Sequence, residues 1–148
     1  MDKNQERVLK FMQAAGQHTP NKVYTPDANT RMLRARLLLE EVNELIEAMG
    51  LSCTYGENSE VINLEKIKFI EDKPVDLVEV ADGIADIKVI SDGTAIAFGI
   101  DMEPVDLEVY ESNMSKFGPG GYMREDGKWM KPPTWKAPNI EAIILAQS

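Results

Sequence analysis

Leu39-Glu40-Glu41-Val42-Asn43-Glu44 and Glu79-Val80-Ala81-Asp82 are the two stretches on which the reading of this chain turns. In the first, Glu41 and Glu44 are three residues apart and Glu40 and Glu44 four apart, so a helix projects them from one side. Glu47 extends the same row. Like charges stacked in this way weaken a helix by roughly 0.2–0.5 kcal/mol per pair. A string of this kind standing alone is more often a solvated acidic face than a site. The second stretch changes that weighting. It sets Glu79 and Asp82 one turn apart, with Asp86 a further turn along, among Leu77, Val78, Val80, Ala81, Ile84, Ala85, Ile87, Val89 and Ile90. A helix apolar nearly all round is usually buried, and a buried carboxylate without a partner protonates or destabilises the fold. Lys88 is the only basic residue between Pro74 and Lys116, so divalent cations are the economical counter-charge.

Outward from these stretches the chain reads as helical. Met32, Leu33, Leu37, Leu38, Leu39, Val42, Leu45 and Ile46 supply an apolar surface to a helix over about 29–49, which Gly50 ends. Asp72 as cap and Pro74 in the first turn predict a long helix that runs to about Phe98 and stops at Gly99. Gly83 and Gly93 inside it each cost up to ~1 kcal/mol against alanine, which points to close helix packing or an approaching ligand. A first helix is expected over about 3–15, a fourth from 101–104 to about Ser115, and a short last one over 139–146. Val61–Leu64 and Ile67–Ile70 read as short strands or as part of a loosely packed insertion. Residues 117–138, with Gly118-Pro119-Gly120-Gly121, Asp126-Gly127 and Pro132-Pro133, read as an irregular arm. The expectation is one all-α domain over 1–148, a bundle of four to five helices with an irregular insertion and an extended C-terminal arm.

Composition excludes several function classes. The 148 residues are 43% hydrophobic and 28% charged, ordinary for a globular protein. The apolar stretch from Val75 to Ile100 carries Asp76, Glu79, Asp82, Asp86, Lys88 and Asp92, too many charges to cross a membrane. MDKNQERVLK has no apolar h-region, and Cys53 is the sole cysteine, so a reducing, cytoplasmic location is expected. A formal charge of −9 argues against nucleic acid or anionic lipid as partner. That charge is uneven. Lys116 to Lys136 has a local balance of +3, which leaves −12 on the rest. An acidic body with a basic arm is an asymmetry to explain, although solvation alone also produces one.

The ligand chemistry follows from the residue types. All the candidate ligands are carboxylates, with neither cysteine nor histidine close in sequence, which favours hard Mg²⁺ or Mn²⁺ over zinc. Two facing helices, one with E-x-x-E and one with E-x-x-D, have the donors for two or more ions. Sites of that type bind phosphates and acidify bound water. Glu40 is turned by about 100° from Glu41 and is a candidate to hold or deprotonate that water, or an ordinary surface glutamate. His18, the only histidine, cannot supply a pair of E-x-x-H motifs, which argues against a di-iron bundle.

These residues resemble a known signature. E-E-x-x-E at Glu40 to Glu44, followed by E-x-x-D at Glu79 to Asp82, is similar to the motif pair of the all-α nucleoside triphosphate pyrophosphohydrolases. This MazG-like superfamily includes phosphoribosyl-ATP pyrophosphohydrolase and the dimeric dUTPases. F-G-I-D at Phe98 to Asp101, S-N-M-S-K at Ser112 to Lys116, R-E-D-G-K at Arg124 to Lys128 and K-P-P at Lys131 to Pro133 resemble one bacterial and phage branch. The resemblance implies cleavage between the α and β phosphates of a nucleoside triphosphate, releasing a monophosphate and diphosphate in the control of nucleotide pools. It implies Glu41, Glu44, Glu79 and Asp82 as metal ligands and Glu40 as general base. It also implies Asn113 and Lys116 near the nucleotide, with Arg124, Lys128 and Lys131 in an arm that closes over the phosphates, and a homodimer or dimer of dimers. Asp86 is an acid beyond the motif, and the insertion lies between the motifs. The rival readings are a non-catalytic nucleotide or metal sensor on the same bundle, and a purely structural acidic module. The nucleobase is not legible.

Overall fold

A computed structural model describes residues 1–55 and 64–148. Among them the order is α1 (Lys3–Ala14), α2 (Ala28–Ala48), β1 (Leu51–Tyr55), a 3₁₀ turn (Leu64–Lys66), β2 (Ile67–Glu71), α3 (Leu77–Ala97), α4 (Met102–Met114), a 3₁₀ turn (Ser115–Phe117), β3 (Tyr122–Met123), β4 (Trp129–Met130) and α5 (Ile140–Ala146). The mostly helical class read from the sequence is the class observed, and the four strands are short. The chain divides into two units, Met1–Thr25 with Ala95–Ser148, and Pro26–Thr94.

In the first unit Val8 and Met12 of α1 and Ile96 from the last turn of α3 form a small buried cluster, with Leu9 packed on it. A polar pin accompanies it. The fully buried Gln5 donates through Nε2 to the Ile100 carbonyl at 2.7 Å and accepts from the Met102 amide at 3.0 Å. Both backbone groups lie at the turn between α3 and α4, where helix ends leave amides and carbonyls to satisfy. Asp101 caps α4 by accepting from the Glu103 amide, and α5 is tied to the same turn through Gln147, which bonds both the amide and the carbonyl of Asp101.

The second unit is built from α2, the β1–β2 hairpin and the first part of α3. The Asp27 side chain caps α2 by accepting from the Thr30 amide at 2.7 Å. At the far end Gly50 adopts φ 80°, a left-handed conformation that glycine reaches without steric cost. The chain then pairs Leu51–Tyr55 antiparallel with Ile67–Glu71, Cys53 standing opposite Phe69. It returns to its point of departure: the Gly50 carbonyl accepts from the amides of Asp72 and Lys73, and the Ala48 carbonyl accepts from the Asp76 amide at 2.9 Å. The insertion therefore leaves and re-enters at one junction, and α2 and α3 run antiparallel from it.

Several sequence expectations change in this unit. The strand over Ile67–Ile70 is present. Of Val61–Leu64, the first three residues lie outside the described residues, and Leu64 opens a 3₁₀ turn rather than a strand. The partner strand Leu51–Tyr55 was not foreseen. α3 begins at Leu77 rather than beside Pro74, and its cap is Asp76, whose carboxylate accepts from the amides of Val78 at 3.0 Å and Glu79 at 3.2 Å. Asp72 instead accepts from the Ser52 hydroxyl and belongs to the hairpin. The physical reason is that the main chain of 72–73 is already committed to Gly50, so the helix starts only after it. The burial expected of α3 is not met within this chain either: Leu77 and Val78 are 77% and 75% exposed, and Ile84 and Val89 are exposed as well.

Candidate active site

The two acidic motifs lie in the second unit, on antiparallel neighbours. α2 and α3 approach closely where Gly83, the residue after Asp82, is set against Leu45, the residue after Glu44. A β-carbon built on Gly83 stands 3.2 Å from the Leu45 β-carbon. The sequence expectation that Gly83 marks close helix packing is met. A side chain at 83 would press on Leu45, so glycine eases the approach of the two acid-bearing turns.

Glu41 is where the charges meet. Burial is the first cause that raises its carboxyl above the ordinary glutamate range, followed by the negative charges of Asp86, Glu44, Glu40 and Asp82. Two of these acids come from α3 and two from α2 itself, so Glu41 feels both motifs. Asp86, which the sequence left without a role, is the first of the charges acting on it. Among the described residues, none of Glu40, Glu41, Glu44, Glu79 and Asp82 is in an ion pair with a lysine or arginine. Glu47, the next acid of the row, is different: Lys73 lies 3.9 Å from it, and it accepts from the Asn43 side-chain amide at 3.3 Å.

The donor set is thus a group of hard oxygens bearing an uncompensated negative charge, which suits Mg²⁺ or Mn²⁺ chemically. It is not a closed cage: among the described residues no three of His, Cys, Asp and Glu are grouped closely enough to hold a metal ion. Glu40, Glu44, Glu79 and Asp82 are exposed and Glu41 and Asp86 half-buried, so the acids sit on an accessible face rather than in the interior that the apolar pattern of α3 led one to expect.

The predicted substrate residues Asn113, Lys116, Arg124, Lys128 and Lys131 fall in the first unit, at the end of α4 and in the arm. The arm is more organised than its turn-rich sequence suggests. Trp129 Nε1 donates to the Lys116 carbonyl at 2.6 Å and its ring packs on Phe117 with centroids 5.0 Å apart. Trp135 Nε1 donates to the Ser112 carbonyl at 3.1 Å, and the Ser112 hydroxyl donates to the Lys136 carbonyl at 2.8 Å. Two tryptophans therefore pin the arm to the end of α4, with the β3–β4 pair as its tip.

Most of the arm's cations already have partners. Lys116 donates to the Asn113 side-chain oxygen at 2.7 Å. Arg124 forks onto Asp126, which raises the guanidinium's proton affinity and holds the Asp126 carboxyl below the usual range. The Lys131 ammonium lies 3.4 Å above the centre of the Trp135 ring, a cation–π contact. Lys128 is exposed; its main-chain amide donates to Asp126 and its carbonyl accepts from the Arg124 amide, both through the backbone and not the ammonium.

Comparison with known proteins gives the class and then the family. A family model described as PRA-PH, phosphoribosyl-ATP pyrophosphohydrolase, matches residues 6–113, a span that holds both acidic motifs and ends at Asn113. The class is that of hydrolases acting on pyrophosphate bonds. The chain belongs to the PRA-PH family, itself a member of the MazG-like superfamily that the motif pair resembles. No curated protein matches the chain. No helix among the described residues is long and apolar enough to cross a membrane.

Proposed function

We propose that this chain is a metal-dependent nucleoside triphosphate pyrophosphohydrolase. It converts a ribo- or deoxyribonucleoside triphosphate and water to the monophosphate and diphosphate, with water attacking the α-phosphorus. The observation that carries this reading is the meeting of both acidic motifs at Glu41, across the close approach of Leu45 and Gly83. Phosphoribosyl-ATP, the substrate in the family's name, contains the same α–β anhydride, so it belongs among the substrates to be tested.

In this reading Glu41, Glu44, Glu79 and Asp82 hold Mg²⁺ or Mn²⁺. The metal, when bound, supplies positive charge to the phosphates and acidifies water. Glu40, exposed on the same turn as Glu41 but rotated from it by about 100°, accepts the proton of the attacking water. Lys128, together with Lys116, Arg124 and Lys131 once released from their present partners, answers the charge of the phosphate tail, and Asn113 faces the nucleotide. Metal and arm together let an acidic body accept a polyanion, a charge balance that favours neither nucleic acid nor a membrane surface as partner.

The exposed apolar residues of α3, Leu77, Val78, Ile84 and Val89, support a homodimer or a dimer of dimers, since unpartnered apolar surface of this kind marks an interface. A cytoplasmic role in nucleotide-pool control fits the substrate. The test is incubation of the protein with the eight common (d)NTPs and phosphoribosyl-ATP, each with Mg²⁺ or Mn²⁺. Monophosphate and diphosphate in equal amounts from at least one nucleotide are expected. Tight nucleotide or metal binding without product would make the chain a sensor, and neither binding nor product would leave only a structural module.

A further inference from the structure

One side of α2 carries a groove of about 540 Å³ lined by Met32, Ala35, Arg36, Leu39, Glu40 and Asn43. A smaller hollow, lined by Asn29, Met32, Leu33 and Arg36, adjoins it. Taking about 100° per residue, Arg36 lies about 40° from Glu40 around the helix, with Asn43, Met32 and Leu39 about 60–100° away on that same side. Leu45 and Glu41 lie about 140° and 100° away on the other side, toward α3. Glu40 is therefore the border between the acid-bearing face and the groove.

The two sides of that border differ in chemistry. Beyond Glu40, toward α3, the motif acids Glu41 and Glu44 lie beside Leu37, Leu45 and the buried Arg34. Within the groove Met32 and Leu39 are 60% and 57% exposed and offer an apolar floor, while Arg36 is exposed and has no ion-pair partner among the described residues. A guanidinium one turn from the proposed base presents the planar fork that matches two phosphate oxygens. A thioether beside a leucine gives an adaptable surface for a flat ring. A ligand that fits this order has an apolar plane at one end and an anion at the other, next to Glu40.

We infer that this groove seats the nucleoside monophosphate half of the substrate, with Arg36 on the α-phosphate and the base against Met32 and Leu39. The inference rests on the pyrophosphohydrolase reading, because that reading puts the α-phosphate beside Glu40. The diphosphate half then lies on the carboxylate side, where the metals neutralise it. Arg36 is the one groove side chain that distinguishes a phosphate from an apolar occupant.

Binding of nucleoside monophosphates and of inorganic tripolyphosphate to the full chain, measured by calorimetry with Mg²⁺ present, tests this without requiring turnover. Arg36→Met is expected to weaken monophosphate binding about tenfold or more, the size of one charge-assisted hydrogen bond, while tripolyphosphate binding changes by less than about twofold. Arg36→Lys should restore part of the loss, and Met32→Glu should weaken monophosphates alone. The assignment is overturned if wild type binds no monophosphate, if both variants bind monophosphates as wild type does, or if they weaken both ligands equally. It is also overturned if the variants only dissociate an oligomer, which would make the groove a subunit contact. Failure of the hydrolase reading shows separately: no diphosphate release from any triphosphate, with Arg36-dependent monophosphate binding intact.

Discussion

Gly83 and Leu45 are in contact range across the two acid-bearing helices: a β-carbon at 83 stands 3.2 Å from the Leu45 β-carbon and 3.4 Å from its α-carbon. The contact sits one residue beyond Asp82 and one beyond Glu44, so the separation of the motif acids depends on it. Gly83→Val is expected to destabilise the fold by about 1–3 kcal/mol in urea denaturation, the usual effect of overpacking. Adding Leu45→Ala should recover part of that loss, since the two sites share one space. Additive losses would mean that the helices are not held at this point.

The charges meeting at Glu41 predict what neutralising it does. Glu41→Gln and Asp82→Asn should each abolish diphosphate release while the circular dichroism spectrum stays that of wild type. Without metal, Glu41→Gln should melt no lower than wild type, because burial and four neighbouring acids already disfavour the ionised carboxylate. Wild-type turnover in both variants would remove these acids from the site.

Glu40 separates from its neighbours by role. Glu40→Gln should still be stabilised by Mn²⁺ but lose at least about 10²-fold in kcat, the range for a general base. A variant only marginally slower would make Glu40 a bystander.

Metal itself should register as stability. Mn²⁺ at a hundred times its Kd adds about 2.7 kcal/mol to a fold that binds it only when native. A thermal melt followed with Mn²⁺ and again with excess chelator reads this directly. Superimposable melts would rule out the metal site.

Acid should loosen the start of α2. The Thr30 amide holds the Asp27 carboxyl below its ordinary value of 3.8, so this cap contributes stability that is present above the unfolded value and is lost as pH falls through the folded one. Asp27→Asn keeps an acceptor for the amide without a titrating charge. It should melt close to wild type at neutral pH and show a shallower loss in acid, whereas Asp27→Ala should melt lower at both. An Asn variant with the wild-type acid limb would place the acid sensitivity elsewhere.

Much of the site was readable because it is local. Carboxylates spaced by one turn share a helix side wherever the helix ends up, and Gly83 announced a close approach before any neighbour was known. The capping error was also local in its cure. Asp76-Leu77-Val78-Glu79 has the acid-x-x-Glu spacing of a helix start, although Asp72 and Pro74 offer an earlier boundary of the same kind. The groove on α2 gave no signal of its own, since Met32 and Leu39 read only as part of an apolar helix surface and look the same in sequence whether they face an interior or a ligand. The arm's tryptophans gave no signal in periodicity, because the carbonyls of Ser112 and Lys116 that they bond are chosen by the path of the chain and not by spacing.

The two acidic motifs with which the reading began were set by the sequence alone, as were the helices that carry them and the hard-oxygen character of their donors. Each depends on contacts within a few residues, which helical geometry dictates. Tertiary structure decided that the insertion closes on itself at Gly50, leaving α2 and α3 antiparallel neighbours, and that burial and the acids of both helices act together on Glu41. It also decided that Trp129 and Trp135 bond the carbonyls of Lys116 and Ser112 and so pin the arm to α4. These outcomes depend on which distant backbone groups and charges meet, and burial and Coulomb interactions act on distances in space that a linear order of residues does not contain.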